Sequence, residues 1–271
     1  MSSQTAIFLD GKPVSALPLP DRGLEFGDGL FETILLHAGT PAFLDAHLAR
    51  LARGLQVLGF PDCAARARHE LATACAAARD AGWRWGALRL TVTRGAGPRG
   101  YAPPLEPQPR IIIQVTELTR DYNRIMAPAT LCLADVSVAC QPRLAGIKHL
   151  NRLEQVLAAQ QALEAGTDAA LMLDTRGRVN CVSSGNLFLV RGRELLTPAL
   201  DQGGIAGTRR GLILARWAQR AGLEPVVAEL APEDVRDCDE LLFSNSLVGV
   251  RPVGRFEDCH WGAHPVSEQL F

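Results

Sequence analysis

The sequence predicts an α+β protein in two domains, and three observations carry that reading. Short apolar runs and longer segments with helical spacing are interspersed, without the regular strand–helix alternation of a doubly wound sheet. A polar stretch, Arg120-Asp121-Tyr122-Asn123, separates two such groups and reads as a linker. The 271 residues, 47% hydrophobic and 21% charged, have the balance of an ordinary globular chain and the length for two modest cores. The expected layout is a small α+β domain over 1–115, a linker over 116–123 and a larger α+β domain over 124–271 that carries Lys148.

Within the first domain Ala6–Leu9 and Glu32–Leu36 read as strands, the second followed by an Ala38-Gly39 turn. Apolar residues at 44, 48, 51, 55 and 58 give a helix over Asp45–Leu58, with Asp45 as its N-cap. Ala64–Arg79 is Ala-rich and helical, stopped by Gly82. Ala87–Thr93 and Ile111–Glu117 read as strands around a Gly- and Pro-dense loop, Arg94–Pro109, of the kind that carries function or moves. In the second domain we expect strands at Thr130–Val138, Ala169–Leu173, Asn186–Val190, Pro225–Glu229 and Glu240–Phe243. Helices are expected at Leu150–Ala165 and Arg209–Ala221.

A formal net charge of −1 without a basic block excludes a nucleic-acid or membrane-surface partner as the expected reading, and no apolar run approaches the roughly 20 residues that span a bilayer. The start lacks the pattern of a secretory signal. Seven scattered cysteines without a CxxC argue against a disulfide framework or a zinc knuckle, and for reduced thiols in a cytoplasm.

The basic residues are more telling. Of 28, two are lysines, Lys12 and Lys148. In a chain that uses arginine wherever a positive charge suffices, a lysine marks a place where an amine is needed, because an amine can lose its proton and act as nucleophile or base. Lys12, in Asp10-Gly11-Lys12, reads as an exposed hairpin tip. Lys148 lies between apolar Ile147 and Leu150, where an extended piece turns into a helix; partial desolvation there lowers an amine pKa. A lysine snorkelling from a helix N-terminus is the bland alternative. His149 beside it points elsewhere and reads as structural.

Gly203-Gly-Ile-Ala-Gly-Thr-Arg-Arg210 opens a helix. Its Gly-rich turn offers backbone N–H groups and the positive end of the helix dipole, a seat for phosphate, though many helices begin after Gly with Thr merely as a cap. Ser183-Ser-Gly-Asn186 and Ser244-Asn-Ser246 put hydroxyls at strand ends, where they serve an anion or a turn. Arg50, on the helical face of His47, is by default a solvated surface arginine.

Taken together, these segments resemble the fold-type IV pyridoxal-phosphate (PLP) enzymes along essentially the whole chain. Asp21-Arg-Gly-Leu-Glu-Phe-Gly-Asp-Gly-Leu-Phe-Glu32 is similar to that group's opening motif, and His47-Leu-Ala-Arg-Leu51 to its HLxRL helix. Leu144–Leu157, Thr93–Tyr101 and Thr197–Gln202 are similar to the aminodeoxychorismate lyases in particular. The resemblance implies that Lys148 carries PLP as a Schiff base and later moves the proton. It implies that Arg50 clamps the phosphate with the N–H groups of Thr208 and Arg209 and with Asn245 and Ser246. Ile205 packs on the ring, and Ser183, Ser184 and Gly207 complete the cofactor site. Phe31, Arg99 and Tyr101 face the substrate, the arginine suited to a carboxylate. A homodimer acting on a small molecule is implied too.

Two departures narrow the expected activity. Phe31 and Tyr101 stand where D-amino-acid transaminases of this group carry a Tyr and a His of their carboxylate trap. Cys181 stands where most relatives pair a Glu with the pyridine nitrogen, and a neutral thiol is a weak partner for it. The implied reaction is conversion of 4-amino-4-deoxychorismate to 4-aminobenzoate and pyruvate, in folate biosynthesis. A D-amino-acid or branched-chain aminotransferase, or a PLP-binding protein that has lost catalysis, stays open.

Overall fold

The computed structural model describes residues 4–271. They divide into two compact units: residues up to Tyr122 together with Ile147–Asn151, and Asn123–Gly146 together with Arg152–Phe271. The lysine segment thus groups with the first unit, and the chain crosses between units around it.

The first unit is built on a six-stranded sheet in the order β2-β1-β6-β5-β3-β4. Its strands are β1 Thr5–Leu9, β2 Lys12–Pro13, β3 Gly29–His37, β4 Thr40–Pro41, β5 Trp85–Thr93 and β6 Arg110–Leu118, every pair antiparallel. Three helices, α1 Arg22–Phe26, α2 Leu44–Leu58 and α3 Ala64–Asp80, complete it. The β1–β2 hairpin turns on Asp10 and Gly11, both at positive φ, and leaves Lys12 exposed as expected. Alternation along β3, β5 and β6 puts Leu30, Ile34, Leu36, Leu88, Leu90, Val92, Ile111, Ile113 and Val115 on one buried face. Leu48, Leu51, Leu55 and Leu71 of α2 and α3 are buried with them. Asp45 is not the cap of α2. The cap position is Phe43 in a left-handed conformation with no side-chain hydrogen bond, and Asp45 lies in the first turn paired with Arg68. The helix begins against the sheet rather than at a polar start signal, so packing overrides the sequence pattern there.

The second unit holds a nine-stranded mixed sheet, β12-β11-β10-β13-β14-β7-β8-β9, with β15 on β14. Its strands are β7 Ala129–Leu133, β8 Ala169–Leu173, β9 Val179–Val182, β10 Asn186–Arg191, β11 Glu194–Pro198, β12 Glu224–Ala228, β13 Glu240–Asn245, β14 Gly249–Phe256 and β15 Cys259–His260. Its helices are α4 Leu153–Glu164, α5 Thr208–Leu212, α6 Ala218–Arg220, α7 Pro232–Arg236 and α8 Pro265–Leu270, with a π-helical turn Ile213–Trp217 joining α5 to α6. Both faces are covered: Leu187 and Leu189 of β10 belong to one apolar cluster, Phe188 and Val190 to another. That is why the strand reads as an unbroken run, LFLV, rather than an alternating one. On the β8–β9 edge the small face of α4, Ala158 and Ala162, packs against Ala170, Met172 and Cys181.

Two expected elements differ. The strand expected over Thr130–Val138 ends at Leu133, with Val138 retained only as a bridge to Asp174. The helix expected from Leu150 begins at Leu153, because His149 and Leu150 pair as extended chain with Leu30 and Gly29.

Helix α2 approaches the sheet closely at Gly54, where a Cβ would lie 2.8 Å from both methyl groups of buried Leu30. Gly54→Val should therefore cost about 2 kcal/mol by overpacking, read as a lowered midpoint in urea unfolding with an unchanged m-value; unchanged stability would show that the approach is not tight.

Candidate active site

Strand β3 places consecutive side chains on opposite faces, and the two faces do different things. Phe31 faces Lys148. The backbone N–H of Phe31 donates to the Lys148 carbonyl at 2.9 Å, and Leu150 N–H donates to the Gly29 carbonyl at 3.0 Å, so the lysine segment is zipped to the start of β3. The Lys148 Nζ lies 4.3 Å from the centre of the Phe31 ring, and Lys148 is half-buried. The guanidinium of Arg89, on neighbouring β5, lies 4.0 Å from the same ring centre. An amine and a guanidinium on one aromatic ring can together hold a carbonyl compound and a carboxylate.

The next residue, Glu32, points into the interior and is 1% exposed. His47 Nδ1–H donates to its Oε2 at 2.6 Å, and Arg50 donates from Nε to Oε1 at 2.8 Å and from Nη2 to Oε2 at 2.5 Å. Burial alone would push the Glu32 carboxyl up, but the hydrogen bonds and charges of Arg50 and His47 outweigh it and hold the group below its ordinary value. Arg50 is thus no solvated surface arginine; it is half-buried with its fork on a carboxylate.

Much of the opening motif proves architectural. Asp21 caps α1 by accepting from Gly23 N–H at 2.8 Å, and also takes Thr93 Oγ1 at 2.9 Å and Arg110 at 2.9 Å. Asp28 accepts from Arg22 at 3.0 Å and Arg94 at 2.7 Å. Arg22 in turn donates to the carbonyls of Gly100 and Tyr101, at 3.0 and 2.8 Å, and Tyr101 meets the Phe26 ring edge-on at 5.5 Å. These contacts fix the loop expected to carry substrate residues. Arg99 and Tyr101 themselves are exposed, Tyr101 to 86%, and the contacts that hold them run to α1.

In the second unit three turns gather at one end of β10 and β13. Asn186 staples them: its Oδ1 accepts from Gly207 N–H at 3.0 Å and its Nδ2 donates to the Ile205 carbonyl at 2.8 Å. A Cβ at residue 207 would fall 2.0 Å from that Oδ1, so the turn requires glycine. Asn245 donates to the Ser184 carbonyl at 2.9 Å and accepts from Leu247 and Val248, while the hydroxyls of Thr208 and Ser246 are 3.4 Å apart. Arg209 donates to the Asn245 carbonyl at 3.2 Å. Ser183 pairs with Ala170 through both backbone and hydroxyl, and Ile205 forms a bridge with Gly146. The expected cofactor residues Ser184, Ile205, Gly207, Thr208, Arg209, Asn245 and Ser246 therefore do come together. Thr208 and Arg209 open the helical stretch, at the end whose dipole favours an anion.

Cys181 lies on β9, which leads into the Ser183–Gly185 turn, opposite Met172 and 7% exposed. Burial pushes its thiol up to about 12, a shift that the nearby positive charge of Arg152 reduces but does not cancel. Position 181 is therefore neutral at physiological pH.

Arg89 was not singled out from the sequence, nor were Glu32 and His47 given a role. Their signal was present: the Phe31-Glu32 step in strand alternation, and His47 and Arg50 three apart on a helix. Among the described residues no cluster of His, Cys, Asp or Glu could hold a metal ion, and no helix is long and apolar enough to cross a membrane.

Comparison with known proteins adds to this geometry. The sequence model of the amino-transferase class IV family matches residues 29–256. The aminodeoxychorismate lyase of Vibrio harveyi is 31% identical over 247 residues, covering 91% of this chain and 89% of that protein. A putative branched-chain-amino-acid aminotransferase of Methanocaldococcus jannaschii is 30% identical, over 91% of this chain and 86% of its own. Among solved structures, 4-amino-4-deoxychorismate lyase from Pseudomonas aeruginosa superposes with a TM-score of 0.87 at 38% identity, covering 97% of this chain and 96% of that one.

Proposed function

The chain belongs to the amino-transferase class IV family, and from that premise we propose that it is a PLP-dependent lyase converting 4-amino-4-deoxychorismate to 4-aminobenzoate and pyruvate, a step in folate biosynthesis. The observation that carries the reading is the Lys148 amine set over Phe31 beside the Arg89 guanidinium. It combines an amine able to hold the cofactor, a cation able to hold a carboxylate, and a ring with no hydroxyl for the carboxylate trap of a D-amino-acid transaminase. The lyases of V. harveyi and P. aeruginosa, similar over nearly the whole chain, support the same choice.

The residues fit PLP. Lys148 suits its aldehyde, and the glycine-dependent turn at Gly207, with the Thr208 and Ser246 hydroxyls, suits a phosphate. In this reading Lys148 binds the cofactor through Nζ. Arg50, the N–H groups of Thr208 and Arg209, Asn245 and Ser246 hold its phosphate, supported by Ser183, Ser184 and Gly207. Ile205 packs on the ring, Cys181 lies toward the ring nitrogen, and Arg89, Arg99 and Tyr101 serve the substrate carboxylates. Bound PLP supplies an electron sink when the carbon bearing the substrate amine loses its proton. The Lys148 Nζ takes that proton. The enolpyruvyl C–O bond then breaks, the six-membered ring becomes aromatic, and the departing group gains a proton to become pyruvate; no water or oxidant enters the balance. The all-thiol cysteines suit a reducing compartment, and we place the protein in the cytoplasm.

The partner in this reading is a second copy. Helix α4 leaves Leu153, Val156, Leu157 and Leu163 exposed by 76, 57, 50 and 80%, the first three on one helical face. Light scattering should give the mass of a dimer for the wild type and of a monomer for Leu157→Glu; a wild-type monomer, or a dimer indifferent to the substitution, would reject this interface.

The reaction is tested by incubating the yellow protein with aminodeoxychorismate and, separately, with amino acids and a keto acid acceptor. Equal amounts of 4-aminobenzoate and pyruvate are expected in the first, with Lys148→Ala losing more than about 1,000-fold in rate. Amino transfer without 4-aminobenzoate would favour the activity named for the M. jannaschii relative, and a yellow protein inert in both would mean lost catalysis.

Cys181 makes a sharper prediction. Elimination driven by aromatisation tolerates a weak electron sink, whereas transamination must also reprotonate the cofactor carbon. Cys181→Glu should leave lyase turnover within about threefold of wild type and raise transaminase side activity by about tenfold or more, within the usual range of a single acid–base group. Abolished lyase turnover in a folded, yellow variant would contradict the argument.

A further inference from the structure

Three polar groups meet beneath β3: Glu32 and His47, each 1% exposed, and the half-buried Arg50. Stability alone is a poor reason for them, because apolar side chains of similar volume fill such a place as well or better. Their arrangement is directional. His47 and Arg50 project from one face of α2 toward a single carboxylate, which takes the Nε and Nη2 edge of the guanidinium in a two-bond fork. A guanidinium is planar, so two bonds along one edge fix its plane and aim its other donors in one direction. His47, bonded to Oε2, fixes the carboxylate in turn.

Resting on the assignment of Arg50 to the cofactor phosphate, we infer that Glu32, braced by His47, is a positioning residue that sets the phosphate affinity of this protein by orienting Arg50. The fork also offsets the charge of Arg50. Orientation and charge therefore predict opposite signs for removal of the carboxylate: loss of aim weakens phosphate binding, and loss of a negative neighbour strengthens it. The inference is that aim prevails. It follows from alternation along β3 that Glu32 does this without touching the lysine side of the sheet, where Phe31 stands.

The test compares two probes on protein stripped of cofactor, PLP and pyridoxal, which differ only in the phosphate, each titrated by absorbance and by quenching of tryptophan fluorescence. Wild type should bind PLP far more tightly than pyridoxal. Glu32→Gln should weaken PLP by about tenfold, the equivalent of one charge-assisted hydrogen bond, and leave pyridoxal unchanged. In an Arg50→Lys background, which has no fork to aim, the same substitution should change PLP affinity by less than about twofold. Glu32→Asp, which keeps the charge on a shorter stem, should fall between wild type and the Gln variant, and it carries the comparison if the Gln variant does not fold. PLP bound as well as or better than by wild type, or PLP and pyridoxal weakened in equal proportion, overturns the inference. A wild-type protein that does not distinguish the two probes overturns the underlying assignment of Arg50, and the inference with it.

Discussion

A β-strand turns successive side chains to opposite faces, and at Phe31 and Glu32 this constraint organises the first unit. One face receives the amine of Lys148 and the guanidinium of Arg89; the other receives the His47–Arg50 edge of α2. A one-residue slip of β3 would bury the aromatic ring under α2 and turn the carboxylate toward the lysine. Register is held against that slip by nine paired positions with β5 and by the backbone bonds from Gly29 and Phe31 to the lysine segment. Gly29 itself is a requirement of the same seam, since a Cβ there would meet the Val92 carbonyl at 2.5 Å.

The sequence revealed most where one physical cause dominates. Rarity of lysine pointed to Lys148, because composition had already removed the competing reason for a positive charge to be an amine. Apolar spacing gave α2, α3, the strands β3, β5 and β6, and β8, β10, β12 and β13 to within a few residues. It failed where tertiary contacts decide. Leu150 and His149 have helical company in sequence but are held extended by Gly29 and Leu30. Strand β14 carries Pro252 and Gly254, residues that count against a strand, and survives with an irregular register beside Val253. Asp45 has the chemistry of a cap but not the position.

The resemblance of a motif to a family's and the role of each residue in it are separate matters. In Asp21–Glu32 the acidic and basic residues divide between architecture and chemistry: Asp21, Arg22 and Asp28 spend their hydrogen bonds on α1, β5 and the loop over 94–109, and only Phe31 and Glu32 stand beside candidate functional groups. Arg22 is the clearest case, buried and fully engaged with Asp28 and two loop carbonyls. Such a residue shapes the loop over 94–109 through its backbone carbonyls. Sequence similarity alone does not separate it from Arg50, which is half-buried with its guanidinium on the Glu32 carboxylate.

At Cys181 the deciding quantity is charge. A carboxylate at that position would start from an ordinary value far below neutral, and Arg152 close by would oppose the upward push of burial and favour the charged form. The thiol behaves otherwise: desolvation pushes it to about 12 despite Arg152, so the position contributes a neutral, weakly polar group. Chemistry that depends on a strongly electron-withdrawing ring loses support there. Chemistry whose product is aromatic draws its driving force from the substrate and needs less from the protein. The apolar packing that neutralises the thiol, Ala158 and Ala162 of α4 against Met172 and Ala170, is the ordinary core of the sheet edge. In the proposed reading, this one side chain in the core of the sheet edge favours elimination over amino transfer, with no change at Lys148.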